Sequence, residues 1–113
     1  MVKAVFHKDG LKSFGSTDDD GTVMFSGFEI SGHAGYGTEG NDIVCAAISS
    51  CTMLVCNCVS ENFGAKVAVK VEENRITLRL SEYNEAAVKL LSAFYEHLKV
   101  LSEDYSNIVL SVR

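Results

Sequence analysis

The sequence contains no proline, carries no surplus of basic residues and has no long uninterrupted apolar run. Without proline, no ring interrupts a helix and no polyproline linker divides the chain. Lys and Arg total 10 against 15 Asp and Glu, and the net charge of -5 argues against a nucleic-acid partner, which normally needs a basic surface. We find no apolar run that approaches the ~18–20 residues of a membrane span, and we therefore expect no membrane partner.

The N-terminal residues lack the features of a signal peptide. Residues 1–8 include Lys3, His7 and Lys8, and they hold neither a long apolar core nor a small-residue cleavage site. We therefore expect a cytoplasmic protein. A chain of 113 residues with 47% hydrophobic composition is long enough to bury one core, so we predict a single domain over 1–113.

The predicted fold is an α+β sandwich of order β-β-α-β-β-α-β, in which two helices pack on a mixed or antiparallel sheet. Alternation of apolar and polar residues predicts strands at 2–7, 22–31, 65–73, 75–80 and 107–112. Gly27 marks a bulge or bend in the second strand. Glu73 and Asn74 form the predicted turn of a hairpin between the third and fourth strands.

Two segments have helical periodicity. Asn41 and Asp42 are N-cap signals for a first helix over 43–62, and Gly64 stands where a C′ glycine would end it. A second helix begins near Asn84. Its core face is predicted from apolar residues spaced three and four apart, with two neighbours: Ala87, Leu91, Phe94, Leu98 and Leu101, beside Val88 and Tyr95.

All four cysteines fall within the first predicted helix. At 100° per residue, Cys51 and Cys58 face the core as small hydrophobic residues, Cys56 lies at its edge, and Cys45 borders a polar stripe in the first turn. The same core side holds four larger apolar residues: Val44, Ile48, Val55 and Val59. Cys45 and Cys56 are about 16 Å apart along such a helix, too far for a disulfide. Cys56 and Cys58 point to opposite sides and cannot share a zinc ion. We therefore expect neither a metal site nor another cofactor.

Cys45 is the candidate nucleophile. The first turn of a helix has free N–H groups and a partial positive charge, and both favour the thiolate. His33 lies twelve residues earlier, on a segment that could fold back over the helix start and accept the thiol proton. Taken alone, His33 is equally a loop histidine without a role. His7 is interpreted as a surface or edge residue, and His97 as a solvated residue of the second helix.

The segment between the second strand and the first helix is rich in glycine, so its backbone bends at little cost. We expect it to be mobile alone and to become ordered by a ligand or by packing. Its G-x-G-x-x-G pattern at 35–40 is typical of phosphate binding, but no series of βαβ units accompanies it and little room is left for a dinucleotide. As a substrate loop, the segment contributes Gly32, Gly35, Tyr36, Gly37 and Gly40.

Asp42 has two possible roles, which do not exclude each other. As a cap or first-turn acid it would stabilise the helix. As a partner of His33 it would fix the imidazole tautomer and stabilise the imidazolium. Pairing with His33 would also remove a negative charge that otherwise opposes ionisation of Cys45.

The segment from Ser31 to Ser49 closely resembles the signature of the bacterial ribosomal-processing cysteine protease family, called Prp. Gly32-His33-Ala34 and Asp42-Ile43-Val44-Cys45-Ala46-Ala47 match it without a gap. The resemblance implies an α/β sandwich that forms a homodimer, with Cys45 as nucleophile and His33 as general base. It also implies a substrate: the N-terminal extension of large-subunit ribosomal protein number twenty-seven.

The implied reaction is attack of the Cys45 thiolate on a peptide carbonyl. N–H groups at the helix start, that of Cys45 among them, would hold the oxyanion, and His33 would protonate the leaving amine. Two rival functions use the same residues. One is a non-catalytic module that binds the ribosomal protein, and the other is a thiol redox sensor based on Cys45.

Overall fold

The computed structural model describes residues 2–8, 24–32 and 39–113, except for the side chains of 39–43. Five strands and two helices follow the predicted order. They are β1 (Val2–His7), β2 (Gly27–Ser31), α1 (Glu39–Asn57), β3 (Val67–Val71), β4 (Arg75–Leu80), α2 (Glu85–Asp104) and β5 (Ile108–Val112), with a π-helical turn (Cys58–Asn62) that continues α1.

The five strands form one mixed sheet in the order β3-β4-β2-β1-β5. All neighbouring strands are antiparallel except β1 and β5, which are parallel. Ala4 pairs with Ile30, and Ile30 pairs with Ile76, so these three residues form a row across the sheet. All three are buried, which places the core on this face. The predicted fold class is therefore confirmed.

The structure differs from the prediction mainly in where the strands begin and end. β2 begins at Gly27 rather than at residue 22, and residues 22–23 lie outside the described part of the chain. β3 spans Val67–Val71, which is two residues shorter at each end than predicted. The N–H of Glu72 donates to the carbonyl of Arg75 at 2.7 Å. The two-residue connection at 73–74 confirms the predicted turn.

Helix α2 packs on the middle of the sheet through aromatic residues. The ring centroid of Phe94 lies 5.6 Å from that of Phe6 and 5.2 Å from that of Phe28, both in edge-to-face geometry. Such pairs add to the stability that burial provides. The predicted core face of α2 is confirmed, since it buries Ala87, Val88, Leu91, Phe94 and Leu98.

Helices α1 and α2 lie side by side and run antiparallel. The start of α2 meets the end of the first helix, where the Asn84 side chain donates to the Phe63 carbonyl at 3.3 Å. The opposite ends also meet, because Val44 and Tyr105 line a common cavity of about 80 Å³. The N-terminal part of α1 therefore lies beside the C-terminal part of α2.

The first helix ends close to the predicted position. Its final turn widens, since the N–H of Phe63 donates to the Cys58 carbonyl, five residues earlier, at 2.9 Å. Gly64 then adopts a φ of 60°, the left-handed conformation typical of a C′ glycine. This confirms the role predicted for Gly64.

The first helix is also more apolar than we expected. The segment Val44–Asn62 has a mean hydropathy of 1.5 and is, by length and composition alone, long and apolar enough to cross a membrane. The expectation that no run approaches this length is therefore wrong. On its inner face Ile48 and Val59 are fully buried in the core, whereas Leu54 on the outer face is 63% exposed.

Candidate active site

The candidate nucleophile lies one turn further into α1 than predicted. The helix begins at Glu39 rather than at residue 43, so Cys45 is its seventh residue. Only the first four N–H groups of a helix lack internal partners, and the N–H of the seventh donates to the carbonyl four residues back. The expectation that the Cys45 N–H could hold an oxyanion is therefore wrong, and the free N–H groups belong to residues that precede it.

The same shift changes the positions of Asp42 and Gly40. Asp42 lies inside the first helical turn rather than at the N-cap position, where an acid still interacts favourably with the helix dipole. Gly40 is the second residue of α1, although we predicted it within the substrate loop. The other end of that segment agrees better with the prediction, since Gly32 follows β2 with a φ of 77°.

Cys45 points into the core and only 6% of it is exposed. It shares this buried face with Thr52 and Cys56, whereas Cys51 and Cys58 are half-buried. The predicted core side of the helix is confirmed for Ile48 and Val59, which are fully buried, and for Cys51, which packs against the core. The placements of Cys45 beside a polar stripe and of Cys56 at the edge of the core are wrong, because both are buried. Thr52 fits the core because its hydroxyl donates to the Ile48 carbonyl at 2.7 Å, which satisfies the polar group inside the helix.

The Cys45 thiol is buried among apolar groups. A base for it, and hydrogen-bond donors for an oxyanion, must therefore come from residues outside the buried face of α1. The predicted base, His33, lies outside the described residues, as do Gly35, Tyr36 and Gly37. Gly32 is the last described residue before this segment. Its N–H donates to the Asn74 carbonyl at 3.1 Å, so the chain leaves the sheet at the β3–β4 hairpin.

A polar groove of about 320 Å³ lies where the chain leaves the sheet. The end of β2 forms one wall and the β3–β4 hairpin forms the other. Two carboxylates and one guanidinium group lie along it, so the groove carries charges of both signs. Its lining residues are Ser31, Gly32, Glu72, Glu73, Asn74 and Arg75.

The other two histidines are not near the start of α1. His7 is only 7% exposed, and its Nε2 lies 3.5 Å from Glu29 Oε2. The interpretation of His7 as a surface or edge residue is wrong, because β1 is an inner strand between β2 and β5. His97 is exposed, as predicted, but its Nε2 lies 3.7 Å from the Cys51 sulfur, a contact that we did not predict.

A family model for the cysteine protease Prp matches residues 16–110, which is most of the chain and includes both His33 and Cys45. The chain belongs to the Prp family. It is therefore a cysteine protease, as the signature at 31–49 implied. A comparison with curated proteins finds no match.

Solved structures share the Prp fold over the full chain. Prp from S. aureus, an essential ribosomal processing protease in complex with a substrate peptide, aligns with a TM-score of 0.80 at 19% identity and covers 100% of both chains. The same protease with a covalently linked product peptide gives 0.77 at 20% identity, again over 100% of both chains. SMU.848 from Streptococcus mutans gives 0.76 at 23% identity, over 100% of this chain and 99% of that chain.

Proposed function

We propose that this Prp-family protein is an endopeptidase that processes a ribosomal protein. Its substrate is the N-terminal extension of large-subunit ribosomal protein number twenty-seven, its nucleophile is Cys45 and its general base is His33. The observation that carries the proposal is the family match over 16–110, which spans both residues and the motifs around them. The S. aureus relative, which shares the fold, is a ribosomal processing protease with a bound peptide.

The reaction takes place in two steps. His33 accepts the Cys45 proton as the sulfur attacks the scissile carbonyl, and the resulting imidazolium protonates the departing amine, leaving a thioester on Cys45. His33 then removes a proton from water, which attacks the thioester, and the thiol and the free carboxylate are regenerated. N–H groups before Cys45 at the start of α1 stabilise each oxyanion, and one such donor can contribute about 3 kcal/mol.

The burial of Cys45 makes access part of the mechanism. With 6% of Cys45 exposed, a peptide carbonyl reaches the sulfur only after neighbouring groups move aside. We propose that the glycine-rich segment that contains His33 closes over the bound peptide and excludes bulk water while the peptide bond is attacked, and that it then admits the water that hydrolyses the thioester.

Charge favours the encounter with the proposed substrate. The protein has a net charge of -5, and Glu72 and Glu73 line the polar groove beside Gly32. Ribosomal proteins are basic, so long-range attraction speeds association and weakens as salt is added. Raising the salt concentration should therefore increase KM with little change in kcat.

The test is cleavage of a peptide that spans the extension and the mature start. Wild-type protein should cleave it at one bond, whereas Cys45→Ala and His33→Ala should show no product. Cys51→Ala is the matched control from the same helix, and it should retain activity. Binding without product in every form would instead favour the non-catalytic module. Peroxide-dependent modification of Cys45 without any cleavage would favour the redox sensor.

We also propose that the protein acts as a cytoplasmic homodimer through the outer face of α1. The support is apolar exposure on that face: Leu54 is 63% exposed and Met53 is 39% exposed. Isolated apolar residues are ordinary on a surface, but neighbours on one helix favour a protein contact. Analytical ultracentrifugation should find a dimer that Leu54→Glu converts to a monomer. A monomeric wild-type protein would contradict this proposal.

A further inference from the structure

A second cysteine–histidine pair lies between the two helices. Cys51 is midway along α1 and His97 is on α2, 46 positions later in the chain. The Cys51 Sγ lies 3.7 Å from the His97 Nε2, within the range of a hydrogen bond to sulfur. Cys51 is half-buried and His97 is exposed, so a small molecule can reach this pair from solvent.

We propose that Cys51 is a site of thiol–disulfide exchange with low-molecular-weight disulfides, and that His97 accepts its proton. This goes beyond the proposed protease function, which uses neither residue. Reactive cysteines are typically partly exposed and lie beside a basic group. Cys51 is half-buried, and the imidazole of His97 contacts its sulfur.

The other three thiols in the structure lack this combination. Only 6% of Cys45 and 3% of Cys56 is exposed, and burial raises the pKa of the Cys56 thiol to about 11. Cys58 is half-buried like Cys51, but its sulfur is 3.7 Å from the Asn62 Nδ2. An amide N–H can donate to sulfur but cannot accept its proton, whereas a neutral imidazole can.

The exchange needs no reagent besides the small disulfide, which is the oxidant. The proton of Cys51 passes to the His97 Nε2 as the sulfur attacks one sulfur of the small disulfide. A new S–S bond forms, the original S–S bond breaks, and the departing thiolate takes the proton back from the imidazolium. The products are a mixed disulfide on Cys51 and one small thiol, and the reverse reaction restores the free cysteine.

The chain supplies its own control for this proposal. Cys51 and Cys58 lie on the same continuous helix, are both half-buried, and each has a nitrogen 3.7 Å from sulfur. Their partners differ in chemistry: the nitrogen beside Cys51 belongs to an imidazole, and the nitrogen beside Cys58 belongs to an amide. A comparison of the two cysteines within one wild-type sample therefore needs no substitution.

The experiment is a time course with oxidised glutathione at near-neutral pH, followed by peptide mapping to obtain a rate for each cysteine. Cys51 should form the mixed disulfide about tenfold faster than Cys58. His97→Gln should lower the Cys51 rate towards that of Cys58 and leave the Cys58 rate unchanged, because glutamine cannot accept the proton.

Equal rates at Cys51 and Cys58 in wild-type protein, or an unchanged Cys51 rate in His97→Gln, would overturn the proposal. Circular dichroism checks that the variant is folded, and the wild-type comparison holds even if it is not. Peptide cleavage by the same samples is a separate readout. It should survive in Cys51→Ala, so failure of the exchange and failure of the protease function are distinguishable.

Discussion

The side chain of Asn84 joins the start of α2 to the end of the first helix, because its Nδ2 donates to the Phe63 carbonyl at 3.3 Å. Its Oδ1 accepts the N–H of Ala87 at 3.0 Å, which makes Asn84 the N-cap of α2. One side chain therefore satisfies a backbone group at each of two helix ends, which would otherwise lack a partner. This fixes the helix pair at the end of the layer that is far from Cys45.

Asn84→Ala should lower the free energy of unfolding by about 1–2 kcal/mol, since both contacts are lost. Asn84→Asp keeps an oxygen that accepts the N–H of Ala87 but has no amide to donate to the Phe63 carbonyl. Its free energy of unfolding should therefore fall by less than that of Asn84→Ala. Urea denaturation of both variants measures the difference. An Asp variant as unstable as the Ala variant would show that the cap contributes nothing.

Gly27 is required where β2 and β4 approach each other. A Cβ at this position would overlap the Leu78 carbonyl oxygen and would lie 3.2 Å from the Arg79 Cα. Gly27→Ala should therefore cost roughly 2–3 kcal/mol, because backbone must shift. Gly64→Ala is the control: φ is 60° but no atom lies within 4 Å, so it should cost about 1 kcal/mol. Thermal denaturation measures both losses, and a larger decrease in Tm for Gly64→Ala than for Gly27→Ala would contradict this prediction.

Cys56 should make stability depend on pH in the alkaline range. Burial raises the pKa of its thiol from 9.0 to about 11, so above pH 9 the unfolded chain has lost a proton that the folded protein retains. The free energy of unfolding should therefore fall between pH 9 and pH 11, by on the order of 2 kcal/mol.

The Cys56→Ala variant isolates this contribution. It should be less stable at neutral pH, because a buried group is lost, and its stability should fall less between pH 9 and pH 11. Cys58→Ala is the control and should retain the full wild-type decline. An identical decline in all three proteins would show that the Cys56 thiol does not cause it.

The sequence was sufficient for the core face of α2 but not for the full width of the buried face of α1. In α2, charged residues such as Lys89, Glu96 and Lys99 mark the solvent side, and the predicted core positions are correct. Between Ile43 and Ser60 there is no charged residue, and small side chains occur on every side of the helix. The pattern therefore placed Ile48 and Val59 correctly on the inner face but did not show how wide that face is, and Cys45 and Cys56 were wrongly placed outside it.

Contacts between elements that are distant in the sequence also could not be predicted from it. His7 looked like an edge residue because nothing local shows that β1 lies between β2 and β5. The contact between Cys51 and His97 joins residues 46 positions apart, and it depends on the antiparallel pairing of the two helices. The roles of Cys45 and His33, in contrast, were predicted from the motif itself and stay predictions.

Asp42→Asn should lower kcat by at least ~10-fold with little change in Tm. The loss of kcat follows from the proposed role of Asp42 in orienting His33. As an acid in the first turn of α1, Asp42 contributes only a small amount to helix stability, so Tm should change little. Steady-state peptide cleavage and thermal denaturation measure the two effects separately. An unchanged kcat with a lower Tm would instead assign Asp42 to stabilisation of the helix start.

The most direct test of the protease mechanism is the site of the acyl-enzyme. Wild-type protein is mixed with the extension peptide, quenched with acid during the first turnover, and examined by intact mass and peptide mapping. We predict a thioester between Cys45 and the N-terminal fragment, which is absent from Cys45→Ala together with all cleavage. An adduct on another cysteine, or continued cleavage by Cys45→Ala, would contradict the assignment of Cys45 as the nucleophile.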